Sequence, residues 1–147
     1  MSKNKNWFFW LGLAFLVFVF CYFRIKPVLL QTIPYTYDQG RDLLRAWQII
    51  REGELAILGP ATGIPGLFHG AWWYYFLAVP ILLTGGDPIR VVFFVIFSLL
   101  LMNILFTLFL RKAFGDTTAL FFFAMVSISP YFISKSFFII NTIMVFP

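Results

Sequence analysis

Residues 7–23 read Trp-Phe-Phe-Trp-Leu-Gly-Leu-Ala-Phe-Leu-Val-Phe-Val-Phe-Cys-Tyr-Phe, with no charged side chain among them. A run of roughly 18 or more apolar residues reads as a transmembrane helix, because about 20 residues cross the hydrocarbon core of a bilayer. This stretch therefore predicts a helix within a membrane. Further apolar runs follow at 67–83, 89–110 and 118–133, and another opens at 137 and continues to 147. The expected fold class is all-α, with polytopic transmembrane helices and an interfacial amphipathic helix in the first outer loop, residues 24–67.

Composition supports the same class. Of 147 residues, 61% are hydrophobic, 22% aromatic and only 12% charged. Soluble domains carry about a quarter charged residues, and a soluble core of this size has no room for 21 phenylalanines. The net charge of +5 does not point to nucleic acid, since the basic residues are scattered at the ends of apolar runs, as membrane flanks are. The single cysteine, Cys21, excludes an internal disulfide and a Cys-based metal site, and reads as a small packing residue. Lys3 and Lys5 precede the first run, but no small-x-small cleavage site follows before Arg24, so 7–23 reads as a retained span rather than a signal peptide.

Punctuation divides the remaining runs. Trp72, Trp73, Tyr74 and Tyr75 form an aromatic belt at the start of 67–83, and Pro80 is expected to kink that span. The turn Thr84-Gly85-Gly86-Asp87-Pro88 separates it from 89–110. Arg111-Lys112 and Gly115-Asp116 close that third span, and Pro130 interrupts the fourth. The final residues are apolar apart from Asn141 and Thr142, with no flanking charge, and read as an incomplete span of a longer polytopic protein. Lys3 and Lys5 on one side of the first span balance Arg24 and Lys26 on the other, so the positive-inside rule gives no vote on orientation. The expected location is an integral, multi-pass position in the cell or cytoplasmic membrane, in contact with membrane lipids.

The polar exception is Thr36-Tyr37-Asp38-Gln39-Gly40-Arg41-Asp42. Asp38, Asp42, Glu52 and Glu54, four of the six acidic residues, lie in this one connection, and the apolar runs hold none. Thr36 followed by Gln39 is a capping-box pattern, predicting a helix that runs to about Glu52 and stops at Gly53. Leu43, Leu44, Trp47 and Ile50 make its apolar face toward lipid, while Asp38, Arg41, Asp42, Arg45 and Glu52 fall mostly on the other. Asp38 sits in the first turn, where the helix dipole favours a carboxylate suited to general-base chemistry or metal ligation. Arg41, Arg45 and Arg51 carry guanidinium forks shaped for phosphate. The bland alternatives are a helix-start acid for Asp38 and an exposed i,i+3 pair for Asp42 and Arg45. His69 reads either as a site residue or as a hydrogen-bonded interfacial anchor. The stretch from Gly59 to Gly66 has no phosphate-cradle pattern and reads as an irregular loop packed on the membrane.

Asp38-Gln39-Gly40-Arg41-Asp42, Gly53-Glu54-Leu55, Gly59-Pro60-Ala61-Thr62-Gly63 and the passage from Leu67-Phe68-His69-Gly70 to Trp72-Trp73-Tyr74-Tyr75 together resemble GT-C-fold glycosyltransferases. The branch is that of protein O-mannosyltransferases and lipid A aminoarabinose transferases. Gly86-Asp87-Pro88 and the Arg111 to Phe114-Gly115 junction are similar to it as well. The resemblance covers nearly the whole chain but only the N-terminal part of such a protein. It implies a polyprenyl-phosphate sugar as donor and a lipid, glycan or protein acceptor at the outer membrane surface. Asp38 takes the place of the outer-loop catalytic carboxylate, with Asp42, Arg41, Arg45 and His69 as substrate-binding candidates. No cofactor is required by the motifs, and a divalent metal is compatible with them. Where the family keeps an Asp-Glu pair this chain has Asp38-Gln39, and residues 134–141 offer no second carboxylate. The competing class is a non-enzymatic polytopic protein, a transporter fragment or scaffold. Transporters place ionisable residues within their spans, whereas spans one and three here hold almost nothing polar of that kind apart from Asn103.

Overall fold

A computed structural model describes residues 4–137. The chain is mostly helical: α1 (Asn4–Leu29), α2 (Tyr37–Arg51), β1 (Leu58–Ala61), β2 (Phe68–Gly70), α3 (Trp72–Thr84), α4 (Pro88–Phe114), α5 (Asp116–Ile128) and α6 (Pro130–Lys135). The run expected from 138 onward, with Asn141 and Thr142, lies outside the described residues. Among the described residues two helices, Trp7–Leu29 and Pro88–Phe114, are long and apolar enough to cross a membrane.

Several boundaries differ from expectation. The first helix does not end at Phe23 but continues through Arg24, Lys26 and Pro27. The second apolar run becomes helical only at Trp72, because Phe68–Gly70 is drawn into a strand. Pro130 ends α5 as expected, leaving 13 residues, the same length as α3. At 1.5 Å per residue such helices are about 20 Å long, against a hydrocarbon core of about 30 Å.

The chain forms two compact units. One comprises the residues up to Ile33 together with Ile96–Phe137, and the other Pro34–Val95. In the first unit α1 packs on α5. Gly12 permits the close approach, since a Cβ there would stand 3.2 Å from Leu120 Cδ1. Phe9, Leu13, Phe20, Ala119 and Phe123 are buried, and the Phe20 and Phe123 rings lie 6.1 Å apart. Arg24, expected as an exposed flank, is instead fully buried. Its Nη2 donates to Val126 O at 2.9 Å, Nη1 to Ser127 O at 3.2 Å and Nε to Ser136 Oγ at 2.9 Å. The guanidinium also stacks 3.7 Å from the Phe20 ring centroid. The need for a cap is written locally, at Pro130. Pro130 has no N–H to give Val126 O, so an arginine on α1 supplies the missing donor at the negative end of α5.

In the second unit α2 packs on α3, with Leu43 and Ala46 buried on one side and Trp73, Leu77, Ala78 and Ile81 on the other. The Gly/Pro-rich stretch is irregular only in part: it supplies most of β1 and the turn of a two-stranded antiparallel hairpin in which Leu58 faces Gly70 and Ala61 faces Phe68. Thr62 closes its turn, with Oγ1 donating to Leu67 O at 3.0 Å and accepting from Ile64 N at 3.1 Å. Any side chain at Gly59 would collide with the carbonyls of His69 and Gly70. Tyr75 Oη, donating to Ala56 O at 3.0 Å, ties α3 to the approach to β1.

Candidate functional site

The N-terminal half of α2 carries the site. The capping box forms, with Gln39 Oε1 accepting from the Thr36 N–H at 2.6 Å. That arm fixes where the helix starts and therefore which side chains face α3. The face so defined is Gln39, Asp42, Leu43 and Ala46, at i, i+3, i+4 and i+7, all buried. The expected apolar face was different. Leu43, assigned to the lipid side, is buried, and Asp42, assigned to the opposite side, has no accessible surface, while Leu44 stays exposed. The correction has a simple cause: α2 rests against α3, whose Trp73 offers a hydrogen-bond donor that lipid does not.

Every oxygen of the Asp42 carboxylate is engaged. Oδ1 accepts from Arg41 Nε at 2.9 Å and Arg41 Nη2 at 2.8 Å. Oδ2 accepts from Trp73 Nε1 at 3.0 Å. Arg41 reaches back one turn as well, its Nη1 standing 2.9 Å from Asp38 Oδ1. A chain of contacts thus runs Trp73, Asp42, Arg41, Asp38, from buried indole to open surface. The side chains of Asp42, Arg41 and Asp38 are 0%, 35% and 58% exposed. Burial pushes the Asp42 carboxyl above its ordinary value, more strongly than the hydrogen bonds and charge of Arg41 and the Trp73 N–H pull it down. The charge of Asp38 adds to the rise.

Arg45 does not pair with Asp42, as the i,i+3 spacing suggested. Its Nη1 lies 2.8 Å from Glu54 Oε2 and 3.1 Å from Gln48 Oε1, where it fastens the end of α2 to the following segment. His69 is exposed on β2, and no hydrogen bond or ion pair among the described residues joins it to the acidic group. Asp38, Arg41 and Asp42 are therefore brought together, and Arg45 and His69 stand apart from them. Among the described residues no group of three or more His, Cys, Asp or Glu side chains gathers into a metal-ligating cluster.

Trp73 is the residue that sequence reasoning missed, absorbed into the aromatic belt as a membrane anchor. No local pattern singled it out, because its role follows from the burial of Asp42, which the packing of α2 on α3 decides. Comparison with family models, curated proteins and solved structures returns no match for this chain.

Proposed function

We propose that this chain belongs to a multi-pass membrane glycosyltransferase of the GT-C type, which moves a sugar from a polyprenyl-phosphate donor to an acceptor at the outer membrane surface. The observation that carries the reading is the exposed Asp38 carboxylate, paired with Arg41 at the head of a capped helix that follows an apolar helix long enough to cross a bilayer. In this scheme the polyprenyl tail stays in lipid while its phosphate meets the guanidinium groups of α2. Asp38 accepts the proton of the acceptor hydroxyl, whose oxygen attacks C1 of the sugar. The bond from C1 to the phosphate oxygen breaks, polyprenyl phosphate leaves, and the configuration at C1 inverts.

Arg24 is the kind of ionisable residue within an apolar helix that transporters use. Its donors, however, are directed at the carbonyls of Val126 and Ser127 and at Ser136, which supports a structural role. The test uses the full-length protein in proteoliposomes with radiolabelled polyprenyl-phosphate sugars. Asp38→Asn is expected to lower transfer by roughly 10² to 10⁴, the range for loss of a general base, with membrane insertion unchanged. Native transfer by Asp38→Asn would remove the carboxylate from the mechanism.

A further inference from the structure

The two carboxylates joined by Arg41 do not have the same access to a substrate. Asp42 has no exposed surface, and both of its oxygens already accept hydrogen bonds from protein donors. We propose that Asp42 is a positioning residue, which, held by the Trp73 indole, fixes the Arg41 guanidinium so that it presents Asp38. The inference rests on the transferase reading for what Asp38 then does, but the clamp itself is a separate property of the fold.

The ordering starts in hydrophobic packing. Trp73 is fully buried, stacks on Phe76 with ring centroids 5.5 Å apart and planes at 16°, and meets Trp72 edge-on at 5.9 Å. A ring held on both sides has no freedom to turn its N–H, so the Nε1 donor has one direction. That donor fixes Oδ2 of Asp42, leaving Oδ1 to receive the Nε and Nη2 edge of Arg41. Two donors on one oxygen hold the guanidinium by its Nε–Nη2 edge rather than by a single N–H. Nη1 is then the atom left facing Asp38. Without the clamp, Arg41 keeps its i,i+3 contact with Asp38 and its contact with the Tyr74 hydroxyl, and loses the two bonds that tie it to Asp42. With it, the open carboxylate is referenced through three residues to the α2–α3 core.

The experiment is nuclear magnetic resonance of the full-length protein in nanodiscs, with ¹⁵N-labelled arginine side chains and the Arg41 Nε–H signal assigned by Arg41→Lys. A resolved, slowly exchanging Nε–H is expected in the parent and in Asp38→Asn. It is expected to broaden or exchange rapidly in Asp42→Asn, and also in Trp73→Phe, which keeps an aromatic ring in place if the charge change at 42 impairs folding. Sugar transfer is measured on the same samples, with a loss of about 10²-fold expected for Asp42→Asn, the scale set by misplacing a catalytic group by about 1 Å. An Arg41 signal that ignores both Asp42→Asn and Trp73→Phe, or that is lost equally in Asp38→Asn, overturns the positioning role. If the signal responds as expected but the parent transfers no sugar, the clamp stands and the transferase reading falls.

Discussion

A carboxylate with no exposed surface gives up water at both oxygens, and at Asp42 protein donors replace it. The replacement is incomplete in energy, which is why burial lifts the carboxyl above its ordinary range despite the nearby guanidinium. The folded state thus holds the proton more tightly than the unfolded chain does. Stability contributed by this group is present below the ordinary carboxylate range and is lost as pH rises through the elevated folded value. Thermal unfolding in detergent, followed upward from about pH 4, where unfolded carboxylates begin to ionise, should show this decline in the parent. The decline should be shallower in Asp42→Asn; identical slopes in the two proteins would show that Asp42 does not carry it. Asp38 and Arg41 were legible as candidates from sequence alone, since a capping box and an acid in the first turn are local patterns. The burial of Asp42 was not, because it depends on which helix α2 meets.

At the scale of elements, the break between α5 and α6 is written in Pro130, but its repair lies more than a hundred residues earlier, in Arg24. Arg24→Met keeps the apolar stem and removes every donor, leaving the Val126 and Ser127 carbonyls buried without it. A loss of about 2–6 kcal/mol is expected, from two unsatisfied carbonyls at about 1–3 kcal/mol each, measured by denaturation of the purified protein. Pro130→Ala restores an N–H to Val126 O and should recover part of that loss in the double variant; strict additivity would count against the capping role. The polar residue noticed within the 89–110 run behaves differently. Asn103 donates Nδ2 to Leu99 O at 2.8 Å, yet its buried Oδ1 has no hydrogen-bond partner among the described residues. Asn103→Leu should therefore raise the midpoint of thermal unfolding, by a stabilisation of about 1 kcal/mol, and a lowered midpoint would mean that the oxygen has found a partner.

For the molecule as a whole, residues 30–67 follow one apolar helix, and the charged groups of that segment, from Asp38 to Glu54, lie outside the two helices among the described residues that are long enough to span. The proposed function requires this segment on the outer, non-cytoplasmic side. Membrane-impermeant thiol labelling of single cysteines at Gln48 and Glu54, in a background without Cys21, should modify both from outside in intact cells. Labelling from the cytoplasmic side alone would reverse the orientation and remove the outer-surface reaction with it.

The amino-acid sequence by itself determined the helical class, the two long apolar helices, the start of α2 and the break at Pro130. These follow from hydrophobic run length, a capping pair and a missing N–H, each a property of neighbours in the chain. Tertiary structure alone decided that Asp42 and Arg24 are inside, that Arg45 turns to Glu54, and that 58–70 closes into a hairpin. For the two buried groups and the hairpin the physical reason is shared. A polar group can be buried wherever a partner meets it, and those partners (Trp73 for Asp42, the α5 carbonyls for Arg24, the facing strand for Gly59) are distant in sequence and adjacent only once the helices and strands have packed.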